Sequence, residues 1–191
     1  MALIFASQSP RRKTLMELFS VPFSVRVADI DEKMDPSLPP DREVARVSRE
    51  KAFAVPRDAE DVVVAADTIV VCNGEILGKP KDEKEAFQML SQLSGARHQV
   101  MTGVTVLKGE LDESFTEITE IDFRPLSQKE ILAYVKTGEP MDKAGAYGIQ
   151  GGAALFVSRL EGDYYNVMGL PVCRLGQVLK NLAPEIMEDT V

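Results

Sequence analysis

Along this 191-residue chain, short apolar runs alternate with stretches whose apolar positions recur every three or four residues. Leu3 to Ala6 reads as a buried strand, broken by Ser7, Gln8, Ser9, Pro10, Arg11 and Arg12. Pro10 suits the first position of a helix, and Leu15, Leu18 and Phe19 give that helix one apolar face. Phe23 to Ala28 reads as a strand, so the chain begins β, α, β. Pro36, Pro39 and Pro40, with Asp29, Asp31, Glu32 and Asp35, mark a polar loop before a helix from Asp41 to Phe53. Val62 to Val71 is a strongly apolar strand holding one charged residue, Asp67, and Asn73-Gly74 supplies a hairpin turn into Glu75 to Leu77. Asp82 caps a predicted helix through Leu93, and Gln99 to Leu107 returns as a strand. Phe115, Thr119, Ile121 and Phe123 recur with the period of a half-buried strand. Ser127 with Glu130 forms a capping box for a helix to Thr137. Ala154 to Leu160 reads as a strand, Leu170 to Leu182 as the last helix, and Glu185 to Val191 as a frayed tail.

The hairpin and the consecutive central strands require antiparallel pairs, which excludes a strictly alternating parallel fold and predicts a mixed α/β architecture. Neither a repeat nor a low-complexity linker divides the chain, which suits one long domain or two small lobes. Hydrophobic residues make up 45% and charged residues 27%, the usage of an ordinary globular protein. No run matches a membrane span or a secretory signal, so a cytoplasmic protein is expected. Thirty acidic against 22 basic residues give a net charge of −8 with no basic stripe, which disfavours long nucleic acids as partners. Cys72 and Cys173 lie among apolar neighbours without metal-ligand spacing and read as buried, reduced thiols.

A strand ending in hydroxyls before a helix places backbone N–H groups, Ser7, Ser9, Arg11 and Arg12 near one point, which suits a phosphate. Ser9 also fits as a plain helix cap, with the arginines on a solvated face. Asp67 within an apolar strand needs a cation, a donor network or an exposed strand end. It therefore reads either as a metal ligand or general base, or as a structural aspartate. Glu32, Lys51 and Lys79 are compatible with a site but do not identify one, and the single histidine, His98, reads as structural. Asp142 to Gly152 holds four glycines in eleven residues, which permits close backbone approach to a ligand or simply makes a turn-rich linker. Within it Gln150 offers the donor and acceptor needed to read a base edge. The glycine-rich signatures of P-loop and dinucleotide-binding proteins are absent.

Taken together, ASQSPRR at 6–12, Asp31-Glu32, REKA at 49–52, AADTIV at 65–70, GKP at 78–80 and DKAGAYGIQG at 142–151 resemble the Maf family of nucleoside triphosphate pyrophosphatases. LSGARHQVMTG from Leu93 and GDYYNVMGLP from Gly162 extend the likeness to about Leu182. The resemblance implies one domain over residues 1–191, built on a long twisted mixed sheet flanked by helices. Two lobes with a cleft between them, as in inosine triphosphate pyrophosphatase, complete the implied fold. It implies cleavage of a nucleoside triphosphate to the monophosphate and pyrophosphate with a divalent cation, Mg²⁺ or Mn²⁺, often by a homodimer. AADTIV and AYGIQG resemble the subgroup acting on dTTP and UTP. By that analogy Asp67 is the proton acceptor, with Lys51 and Lys79 beside it in the catalytic set. Glu32 and Asp67 hold the metal, Ser9 and Arg12 bind phosphate, and Arg11, Thr68 and Gln150 choose the base. A different base preference, or a nucleotide-binding regulator of cell division, are the alternatives.

Overall fold

The computed structural model describes residues 1–27, 30, 34–35 and 37–187, so the loop positions Ala28, Asp29, Asp31, Glu32, Lys33 and Pro36 lie outside the described residues. Strand β1 (Leu3–Phe5) has parallel neighbours on both sides, Ile4 standing opposite Ser24 of β2 (Phe23–Val25) and Val63 of β3 (Val62–Cys72). Parallel neighbours require crossovers, and helices α1 (Pro10–Glu17) and α2 (Pro40–Ala54) supply them. Asn73 and Gly74, with φ of 52° and 80°, make the primed turn that pairs β3 with antiparallel β4 (Glu75–Leu77). Helix α3 (Glu83–Leu93) carries its Asp82 cap, β5 spans Arg97–Lys108 and β6 spans Leu111–Phe123. The Ser127/Glu130 capping box starts α4 (Gln128–Val135). After short 3₁₀ turns come β7 (Val157–Glu161), antiparallel to β6, then α5 (Tyr164–Met168) and α6 (Val172–Leu182). The seven-stranded mixed sheet runs β2-β1-β3-β5-β6-β7, with β4 on β3.

The chain divides into two compact units. The first comprises Met1–Asp67, Thr102–Glu117 and Gly169–Val191. Its core gathers Ile4, Ala6, Ala52, Val55, Val63, Ala65 and Leu107. Ile4 and Phe5 are completely buried, each burial contributing about 2 kcal/mol. The second unit comprises Thr68–Met101 and Ile118–Met168. Here α3 packs on α4 around Leu90, Leu93, Ile131 and Val135, with an aromatic set of Phe123, Tyr134, Tyr147 and Phe156.

Four expectations are corrected. Helix α1 ends at Glu17 and Ser20 takes a φ of 55°, so the chain turns away before Leu18 can pack; Leu18 is 59% exposed and Met16 joins Leu15 inside. Cys72 is buried, but Cys173 is exposed, because it precedes the buried Leu175 by two residues and a helix turns about 100° per residue. Gly152–Leu155 is a 3₁₀ turn, and the strand starts only at Val157. Glu185 to Met187, expected in a frayed tail, are structured: Pro184–Ile186 is a 3₁₀ turn, Glu185 pairs with Lys108 and Met187 is buried, while residues 188–191 lie outside the described residues.

Candidate active site

In the first unit, Asp67 lies in β3 and is buried, like the five strand residues before it. Its Oδ1 accepts a hydrogen bond from Lys51 Nζ at 2.7 Å, the two side chains being 12% and 15% exposed. A carboxylate this far from water needs such a partner. Lys51 is placed by α2, and α2 is itself fixed on one face. Thr116 Oγ1 donates to the Asp41 carbonyl at 2.7 Å, and a Cβ on Gly103 would fall 2.3 Å from the Val44 carbonyl oxygen. Ser48 Oγ and Thr105 Oγ1 share a hydrogen bond at 2.9 Å. Positions 41, 44, 48 and 51 follow one another at the three- and four-residue spacing of a helix face, so contacts at the first three dictate where Lys51 points. Sequence reasoning missed Ser48, Gly103 and Thr105. The available signal was a glycine and two threonines inside an otherwise apolar strand.

Ser9 caps α1, its Oγ accepting from the Arg12 N–H, and the Ser7 Oγ accepts the Ser9 N–H at 3.3 Å. The helix cap is therefore real at Ser9. The solvated reading fails for Arg12, which is half-buried and donates from Nε to the Gly169 carbonyl at 2.8 Å and from Nη1 to the Ala66 carbonyl at 2.9 Å. One guanidinium thus joins α1, the residue before Asp67, and the turn before α6. Arg11, also half-buried, occupies the preceding helical position. Ser9, Arg12, Lys51 and Asp67 are brought together in this unit, and Glu32 lies outside the described residues.

In the second unit, Lys79 is exposed between Gly78 and Pro80, and the Gly78 carbonyl accepts from the Gly145 N–H at 3.0 Å. Gly145 has a φ of 66°, and a Cβ there would fall 2.8 Å from Val70 Cγ2, so only glycine lets this segment lie against β3. The Lys79 loop and the glycine-rich segment are thus neighbours. Buried Tyr147 anchors the segment through a 2.8 Å hydrogen bond between its hydroxyl and His98 Nε2. Burial holds the His98 pKa down at about 4, as expected of a structural histidine. Gln150 is exposed beyond this anchor, and Thr68 is half-buried in β3.

Among the described residues, no three His, Cys, Asp or Glu side chains cluster to hold a metal ion, and no helix is long and apolar enough to cross a membrane. Of the two carboxylates expected to hold a cation, Asp67 alone lies among the described residues, and one carboxylate completed by water and phosphate oxygens is a donor set of the kind Mg²⁺ takes.

The sequence model of Maf-like proteins matches residues 2–182. The chain belongs to the Maf-like family. A dTTP/UTP pyrophosphatase of Halalkalibacterium halodurans is 55% identical over 179 residues, covering 93% of this chain and 94% of that protein. The dTTP/UTP pyrophosphatase of Bacillus velezensis is 48% identical over 179 residues, covering 93% of this chain and 95% of its own length. Among solved structures, a HAM1 protein from Coxiella burnetii aligns with a TM-score of 0.49 at 12% identity, over 95% of this chain and all 100% of that one.

Proposed function

We propose that this Maf-like protein is a nucleoside triphosphate pyrophosphatase that hydrolyses dTTP and UTP, and modified pyrimidine analogues, to the monophosphate and pyrophosphate. The observation that carries the reading is 55% identity, across 93% of the chain, to a dTTP/UTP pyrophosphatase. Residues 1–191 act as one functional domain, a reading supported by a family match that begins at residue 2 and ends at residue 182. The cytoplasm, which holds such nucleotides, is its site of action, and a homodimer is its working form.

Asp67 accepts the proton of the attacking water as the new O–P bond forms and the α–β anhydride bond breaks, with pyrophosphate leaving on the bridging oxygen. Lys51 holds the carboxylate in one orientation, and its ammonium with that of Lys79 offsets negative charge as pyrophosphate departs. Arg12 keeps the Ala66 end of this strand segment and α1 in register, and its fixed positive charge attracts phosphate. Ser9 extends that phosphate contact from α1. Arg11, Thr68 and Gln150 select the base. Asp67 and Glu32 would hold Mg²⁺ or Mn²⁺, which would neutralise charge on the phosphate oxygens.

The test is product analysis with dTTP, UTP, CTP and dATP in the presence of either metal. The expected result is monophosphate and pyrophosphate, fastest from dTTP and UTP. Nucleotide binding without pyrophosphate release would leave a regulator rather than an enzyme, and faster release from CTP or dATP would overturn the base assignment.

A further inference from the structure

Glu139, the first residue of the 3₁₀ turn Glu139–Asp142 that follows α4, was not singled out by any motif, yet its carboxylate engages both ends of the turn that carries Gln150. At one end, the Gly148 N–H donates to the Tyr134 hydroxyl oxygen at 3.2 Å, and that hydroxyl donates to Glu139 Oε1 at 2.9 Å. At the other end, the Gly152 N–H donates to Glu139 Oε2 at 3.1 Å. The turn is closed on itself by the Gly151 N–H donating to the Gly148 carbonyl at 3.1 Å. The carboxylate lies directly against the backbone: a Cβ on Gly151 would fall 2.0 Å from Glu139 Oε1. Tyr134 is itself buried, with its ring edge-on to Phe156 at 5.2 Å, and burial raises its phenol pKa so that it stays a donor. The frame is therefore rigid where it meets the turn, while Gln150 at the tip is exposed.

We propose that Glu139, with Tyr134, is a positioning residue that fixes the Gly148–Gly152 turn and thereby sets how sharply Gln150 discriminates between bases. This rests on the reading of Gln150 as a base-selecting residue. The chemistry makes the need plain. Uracil and thymine present an acceptor at position 4 where cytosine presents a donor, and a glutamine amide carries one of each. A wandering amide meets either base. Discrimination requires it to be presented in one place, and a turn with three glycines among five residues has little conformational restraint of its own.

The test compares kcat/KM for dTTP and CTP, with thermal stability measured in parallel, in Gln150→Ala, Glu139→Gln, Gly151→Ala and Tyr134→Phe. Glutamine at 139 keeps the shape but only one acceptor for two donors. Gly151 has a φ of −105°, open to alanine, so Gly151→Ala disturbs the clamp through the collision with Glu139 alone. The expected result is a dTTP-to-CTP preference collapsed by Gln150→Ala and lowered at least about threefold by Glu139→Gln and Gly151→Ala, with no further loss when either is added to Gln150→Ala. Tyr134→Phe gives the same answer should Glu139→Gln fold poorly. A preference that falls with Gln150→Ala but stays within about twofold in the clamp variants overturns the proposal and leaves the Gln150 assignment standing. A preference untouched by Gln150→Ala overturns both.

Discussion

The charged residues of the first unit and the exposed amide of the second are held in opposite ways. Asp67 sits in a buried strand and is gripped at the side chain by Lys51, just as Arg12 is gripped at its guanidinium by two carbonyls. Gln150 is exposed, and what is held is the backbone on either side of it. The difference follows from the work proposed for each. A proton acceptor needs a fixed electrostatic environment, which regular elements supply, whereas a recognition residue needs access and borrows rigidity from the scaffold beneath its loop.

The largest effect is expected from unpairing Asp67 in the first unit. Lys51→Met leaves Asp67 buried without its ammonium partner and should destabilise the protein by about 3 kcal/mol, the lower end for a broken buried pair because both side chains retain some water contact. Urea unfolding checks this, and a loss under about 0.5 kcal/mol would mean the pair is not what holds the strand and α2 together. A comparable effect is expected in the second unit from acid. The unfolded chain binds a proton at His98 near pH 6.5, but the folded protein does so only near pH 4. The stability from neutral His98 is therefore fully present above pH 6.5 and is lost as pH falls through about 4, amounting to about 3 kcal/mol. His98→Gln should flatten that slope in unfolding measured from pH 7 to pH 4. Gln150→Ala should alter base preference about tenfold, the value of one well-placed hydrogen bond, while leaving unfolding unchanged because the side chain is exposed. Ser9→Ala sharpens the comparison at the smallest scale. Loss of the cap should cost about 1 kcal/mol in urea unfolding, and loss of the proposed phosphate contact should raise KM for dTTP; an unchanged KM would leave Ser9 a cap alone.

Local chemistry made much of the fold legible. Asn73-Gly74, Asp82 and the Ser127/Glu130 box each determine their neighbours' backbone without help from distant residues. Leu18 and Cys173 were misplaced because apolar spacing describes a face but not where the helix carrying it stops or which side turns inward. The site was legible only as a set of motifs through family resemblance. The pairing of Lys51 with Asp67 spans sixteen residues and depends on α2 being pressed against Gly103, a contact no local pattern encodes. Glu139 was invisible for a related reason: its partners are backbone N–H groups, which every residue but proline carries.

The role of Asp67 is read from the rate of pyrophosphate release from dTTP by Asp67→Asn, in saturating Mg²⁺ and with folding confirmed by unfolding measurements. Asparagine keeps an oxygen for Lys51 but cannot accept the proton of the attacking water, so a folded protein with turnover reduced at least about a hundredfold is expected. Turnover within a few-fold of the unaltered protein would contradict that role and move the proton acceptor elsewhere.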